Sequence, residues 1–76
     1  MSNSILQAGL KGIQAGLATA AEGARKTSRA FTAQGDPMDA VDGAIDMHEG
    51  KRLVQASSKI IKASEDMDQA ILDILA

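Results

Sequence analysis

The residues able to do chemistry are few, and their spacing rules most chemistry out. His48 is the single histidine and there is no cysteine. One imidazole without thiolates cannot assemble a metal centre, and a disulfide is excluded. Asp46 and Glu49 lie close to His48 in sequence, but residues one or two positions apart on a helix do not face each other. A surface or seam-edge histidine is therefore favoured over a general base. Glu65, Asp66, Asp68 and Asp73 have the composition of a cation cluster, yet they lack the alternating acids, central Gly and closing Glu of an EF-hand loop. A solvated acidic face explains them better. Gly9, Gly12 and Gly16 fall inside a helical pattern with no strand before them, so they are not a dinucleotide fingerprint. No serine stands in a nucleophile-elbow pattern. No catalytic, cofactor-binding or metal-binding residue is expected, and the chain reads as a non-enzyme.

Bulk properties narrow the class further. A chain of 76 residues is one domain at most and hides only about 60% of the surface its unfolded form exposes. Small chains of this kind need a disulfide, a metal or self-association. The first two are missing, so a homo-oligomer is the expectation. Phe31 is the only aromatic residue, which removes the stacking platforms that single-stranded nucleic acids use. The net charge of −2 also argues against nucleic acid as a partner. The longest weakly polar stretch, 15–21, is far shorter than the roughly 20 apolar residues of a membrane span. The N-terminus has no basic patch followed by an apolar run, so no cleaved signal peptide is expected.

Two helices must carry everything else. Gln34-Gly35-Asp36-Pro37 is the one strong punctuation mark. Gly suits the position after a helix end, Asp is a good N-cap, and Pro is favoured at the first helical position. This predicts one helix over about 4–33, capped by Ser4 or Asn3, a turn at 34–37, and a second helix over 37–75. In the first helix Leu6, Leu10, Ile13, Leu17, Ala20, Ala24, Thr27 and Phe31 form an unbroken heptad seam. In the second, Val41, Ala44, Ile45 and His48 give an early face. Leu53, Ile60, Ser64, Met67, Ile71 and Ile74 give a later one in a different phase, with Val54, Ile61 and Leu75 alongside. The change falls at Glu49-Gly50-Lys51, where Gly50 marks a kink, a break or a merely permissive position. Met38, Met47 and Met67 fit packing positions, and Met adapts readily to a variable surface.

The first helix also holds Gly9, Gly12, Gly16 and Gly23, each about 0.8–1 kcal/mol less favourable than Ala in a helix interior. Gly9, Gly16 and Gly23 recur every seven residues and form one stripe. Two readings stay open: a groove that admits another helix very closely, or a weak helix that orders on binding. Charge divides by segment, +3 over residues 1–35 and −5 over 36–76. Folding back at Gly35 brings Arg25, Lys26 and Arg29 near Asp39, Asp42, Asp46 and Glu49. The expected fold class is thus all-α, an antiparallel helical hairpin. The same heptads permit an isolated hairpin, a four-helix dimer or a helical polymer.

The second half resembles the C-terminal helix of flagellar rod and hook proteins. The resemblance rests on Asp46-Met47, Arg52, Val54, Ser57, Lys59-Ile60-Ile61, Glu65-Asp66-Met67 and Ile71-Leu72-Asp73-Ile74, in register without a gap. Ala8, Gly12 and Ala15 are similar, more weakly, to the family's small-residue N-terminal start. Arg25-Lys26-Thr27-Ser28 stands where the family has an Asn-rich signature, and the large middle domains are absent. The chain thus looks like a minimal version, two terminal helices joined by a short turn. The resemblance implies pairing of the two helices, packing into an axial tube, and export without cleavage to a flagellar basal body or cell envelope. Its partners would be flagellar axial or export proteins. The ending Glu65-Asp66-Met67-Asp68-Gln69-Ala70-Ile71-Leu72 is also similar to that of type III secretion needle subunits, which are short hairpins with a Pro-containing turn. A third expectation is a small, cytoplasmic, chaperone-like export adaptor, for which the glycine stripe and the weak first helix speak. On any of these, the partner-packing residues expected are Leu6, Leu10, Ile13, Leu17, Phe31, Val41, Ile45, Leu53, Ile60, Met67, Ile71 and Ile74. Gly9, Gly16 and Gly23 are the expected close-approach stripe.

Overall fold

The computed structural model describes residues 2–75. It contains two helices, α1 (Ser2–Ala30) and α2 (Pro37–Leu75), and no strand among those residues. Laid end to end, the two would span about 100 Å at 1.5 Å per residue. The longest extent is 64 Å, close to the roughly 60 Å of α2 alone by the same rise. So α1 lies alongside α2. Gly9 lies against Ser57, Gly16 against Gly50 and Gly23 against Gly43. Position in α2 falls as position in α1 rises, so the two helices run in opposite directions as a hairpin.

The corner forms where its residues predict, with one shift. The Met38 N–H donates to the Asp36 Oδ1 at 2.9 Å, and the Asp39 N–H donates to the Asp36 carbonyl at 2.8 Å. Asp36 is therefore the N-cap of α2, and Pro37 fills the first helical position, where no N–H is needed. The first helix stops at Ala30, three residues before the expected Ala33. Both the N–H and the hydroxyl of Thr32 take the Arg29 carbonyl, at 3.0 and 2.8 Å. A side chain that captures a local carbonyl competes with the helical bond that would continue the run. Gly35 does not adopt a left-handed conformation. Its lack of a side chain matters instead because a Cβ would strike the Arg29 carbonyl and the Ala30 backbone.

The contact between the helices is made by small residues. Gly9, Gly16 and Gly23 in α1 and Gly43, Gly50, Ser57 and Ser64 in α2 are the buried residues, each series recurring every seven. A strict repeat of seven keeps one stripe facing the partner along a left-handed supercoil. The backbones meet directly. A Cβ on Gly16 would come 2.7 Å from the Gly50 carbonyl oxygen, and one on Gly50 would come 2.5 Å from that of Gly16. Gly23 and Gly43 block each other in the same reciprocal way. This approach brings Cα–H groups within reach of facing carbonyls, a recurrent minor stabilisation of close helix pairs.

The heptad seam of α1 lies beside this contact line, with Ala20 and Thr27 against Gly50 and Gly43. Leu6, Leu10, Leu17 and Phe31 do not form the hairpin contact; they are exposed. No large hydrophobic side chain among the described residues is buried. The contact line is displaced by one row, because glycine lets backbones close to a separation at which leucines would be expelled. The two phases of α2 have the same cause. Its contact line keeps a single phase from Gly43 to Ser64, and α2 is one continuous helix through Gly50. The early apolar group lies outside that line and the later group flanks it.

Candidate interaction surface

Two helices side by side make one layer, and a domain normally needs two layers to enclose apolar side chains. The consequences are measurable. The radius of gyration is 17.8 Å, against about 11 Å for a compact domain of this length. The accessible surface is 5712 Å², against about 4,400 Å² for a compact monomer of this mass. The excess, about 1,300 Å², is the order of surface that a specific protein interface covers.

The exposed surface is organised by the contact line. On one side of it, Ile61, Val54 and Met47 of α2 lie beside Gly9, Gly16 and Gly23, while Thr27 and Ala20 of α1 lie beside Gly43 and Gly50. Leu6 and Ile13 share the row of Ala20 and Thr27 at spacings of seven. Leu10, Leu17, Ala24 and Phe31 form the next row out on α1, three and four residues from its members. This gives a first apolar face, richest along α1. The other side of the line carries Gly12 against Ser57 and, nearer the corner, Lys26 against Asp46. Leu53, Ile60, Met67 and Ile74 continue the row of Asp46 at spacings of seven, and make a second apolar face toward the open end.

The expected partner-packing residues fall on these surfaces. Exposure runs from 39% at Leu6 to 83% at Phe31 and Ile74, and Ile13 is half-buried. Val41 and Ile45 lie on the outer side of α2, where they line a shallow hollow with Ala40, Ala44, His48, Glu49 and Arg52. Ile71 follows Ser57 and Ser64 at the same spacing of seven. The stripe Gly9, Gly16 and Gly23 is a close-approach groove, and the helix it admits is α2 of the same chain. Gly43, Gly50, Ser57 and Ser64 complete that groove. Their spacing of seven was the available signal, hidden because small residues do not register as an apolar seam.

Ion pairs gather at the corner end. Lys26 Nζ donates to Asp46 Oδ2 across the two helices at 2.7 Å, with both side chains partly covered. That hydrogen bond, reinforced by the Asp46 and Asp42 charges against some desolvation, holds the Lys26 ammonium above its ordinary pKa. Arg25 donates to Glu22 at 2.7 Å. The hydrogen bond, then the Arg25 charge, lowers the Glu22 pKa. Lys62 and Asp66 approach to 3.6 Å on the outer side of α2.

Among the described residues there is no group of three or more acids and histidines placed to hold a metal ion. No helix among them is long and apolar enough to cross a membrane. Comparison of the chain with models of protein families, with curated proteins and with solved structures gave no match.

Proposed function

We propose that the chain is a non-enzymatic assembly subunit that acts by packing side by side with other helical hairpins, related to flagellar rod and hook axial proteins. One observation carries this reading: no large hydrophobic side chain among the described residues is buried, and most of them, Leu6, Leu10, Leu17, Leu53, Ile60 and Met67 included, stand exposed on the two sides of a single helical layer. A hairpin in water leaves these faces solvated, and covering them recovers about 25 cal/mol per Å² of apolar area. Two distinct apolar faces on opposite sides favour contacts between unlike surfaces, and such contacts propagate where a self-complementary one would close as a dimer. The flagellar relationship rests on the in-register likeness from Asp46 to Ile74, and with it come signal-less export and the axial or export proteins as partners. The Asp36-Pro37 corner of the hairpin supports the needle-subunit likeness as a second reading with the same assembly logic. The adaptor reading is left with the glycine-weakened first helix as its support, because the glycine stripe is filled by α2 of the same chain.

The test is sedimentation across concentration. The wild-type chain is expected to associate at micromolar concentration, and Leu10→Asp with Leu17→Asp to weaken association at least tenfold while leaving helix content unchanged. A chain that stays a folded monomer at millimolar concentration, and binds no purified rod, hook or needle subunit, would overturn the proposal.

A further inference from the structure

Formal charge along the hairpin is sorted into three bands. The corner end holds Glu22, Arg25, Lys26 and Arg29 with Asp36, Asp39, Asp42, Asp46 and Glu49, a net of −3. The middle holds only bases, Lys11, Lys51, Arg52, Lys59 and Lys62, a net of +5. The open end holds only acids, Glu65, Asp66, Asp68 and Asp73, a net of −4. Lys11 belongs to the middle because the pairing of Gly9 with Ser57 sets it level with Gln55. The centres of the middle and open-end bands, near Ser57 and Gln69, are about 18 Å apart at 1.5 Å per residue. The Debye length at physiological ionic strength is about 8 Å, so a neighbour meets each band separately.

We propose that neighbouring copies of this chain pack with an axial offset of one band, about 18 Å, that sets the basic middle of one hairpin against the acidic open end of the next. The inference rests on the assembly reading above and adds to it the register between subunits. Copies in register would set every band against its own sign, and flush antiparallel copies would set acid against acid at both ends. An offset of one band removes these repulsions and turns them into attractions. The basic band is central, so the offset is favourable whether the neighbour runs parallel or antiparallel. The open end is the partner rather than the corner because it holds acids alone, whereas the corner mixes three bases among its six acids and pairs two of those acids, in Lys26–Asp46 and Arg25–Glu22. At the open end only Asp66 is near a base, Lys62 at 3.6 Å, among the described residues. The same band carries Met67, Ile71 and Ile74 exposed, so charge and apolar contact are offered together. Charge complementarity of this kind fixes register more than raw affinity.

Two full-length variants test the offset. One reverses the middle band with Lys51→Glu, Arg52→Glu and Lys59→Glu, the other reverses the open end with Glu65→Lys, Asp68→Lys and Asp73→Lys. All six positions are exposed, and circular dichroism checks that the helices persist. Each variant alone is expected to associate at least tenfold more weakly than wild type by sedimentation. The equimolar mixture is expected to form a mixed complex of near wild-type affinity, because one variant keeps the basic band and the other the acidic one. As a second measurement on the wild-type chain, raising salt from about 50 mM to about 500 mM should weaken association at least tenfold. If wild type associates but the open-end variant associates equally well, the mixture is no tighter than either variant, or salt has no effect, the offset is wrong while the assembly reading stands. If wild type does not associate at low salt, both fail.

Discussion

The glycines of this hairpin invert the usual rule for helix substitutions. On an exposed helix, Gly→Ala gains about 0.8–1 kcal/mol. At Gly16 the new methyl would meet the Gly50 carbonyl and the Val54 backbone N–H, neither of which can move without separating the helices. Overpacking of this kind costs about 1–3 kcal/mol, so Gly16→Ala and Gly50→Ala are expected to be net destabilising by about 1–2 kcal/mol, the excess of that cost over the propensity gain. Gly12 faces the Ser57 side chain, whose hydroxyl can turn aside but whose Cβ, 3.0 Å from the new methyl, must give slightly, so Gly12→Ala is expected to cost less than Gly16→Ala. Thermal denaturation at fixed concentration separates the three. If Gly16→Ala raised the melting temperature, direct backbone contact would be excluded.

Ionisable side chains act at the same scale. The Lys26 pKa is raised in the folded state, so the stabilisation from its bond to Asp46 is present below the ordinary value of 10.5 and is lost as pH rises through the folded value. The Glu22 pKa is lowered, so its contribution is present above the ordinary value of 4.5 and is lost as pH falls through the folded value. Stability followed by circular dichroism should decline on the alkaline side above about 10.5 and on the acid side below about 4.5. Lys26→Met should abolish the alkaline decline attributable to this pair, and Glu22→Gln should diminish the acid one.

At the scale of the elements, the corner depends on Asp36. Its carboxylate accepts the Met38 N–H, one of the four N–H groups that a helix start leaves without an internal partner. Asp36→Ala is expected to cost about 1 kcal/mol, whereas Asp36→Asn or Asp36→Ser should retain most of the stability. Chemical denaturation of the three variants is the measurement. Equal loss in all three would mean that the cap contributes nothing and that Gly35 and Pro37 set the corner. The helices themselves follow from uninterrupted helical periodicity. Thr19 and Thr27 back-bond to the carbonyls of Ala15 and Gly23 at 3.0 and 2.9 Å, so neither hydroxyl goes unsatisfied against the seam.

At the scale of the whole molecule, stability and association are expected to be coupled. A hairpin that buries no large hydrophobic side chain among its described residues draws little from an internal core, so covering its exposed apolar side chains in an assembly adds to folding by mass action. The melting temperature should rise with protein concentration, and Leu53→Asp with Ile60→Asp, on the second apolar face, should flatten that dependence. A concentration-independent melting temperature in the wild-type chain would show that the single layer stands by itself.

Much of this was legible from residue order. Helical periodicity gave two helices, and Gly35-Asp36-Pro37 gave the corner, because capping and φ preferences are local and act through neighbours a few residues apart. Charge segregation placed Lys26 near Asp46 for a similar reason, since a hairpin fixes which ends meet. The Gly9, Gly16 and Gly23 stripe was visible as a close-approach side of α1, but which helix fills it was decided only in the folded structure. Leu6, Leu10 and Leu17 make the more conspicuous heptad, yet Gly9, Gly16 and Gly23 take the contact. Hydrophobicity tells which residues avoid water, but how closely two backbones approach depends on the absence of side chains from both helices at matching heights. That match, Gly16 to Gly50 and Gly23 to Gly43, exists only once the register between α1 and α2 is set, and setting it is what turns the leucines outward.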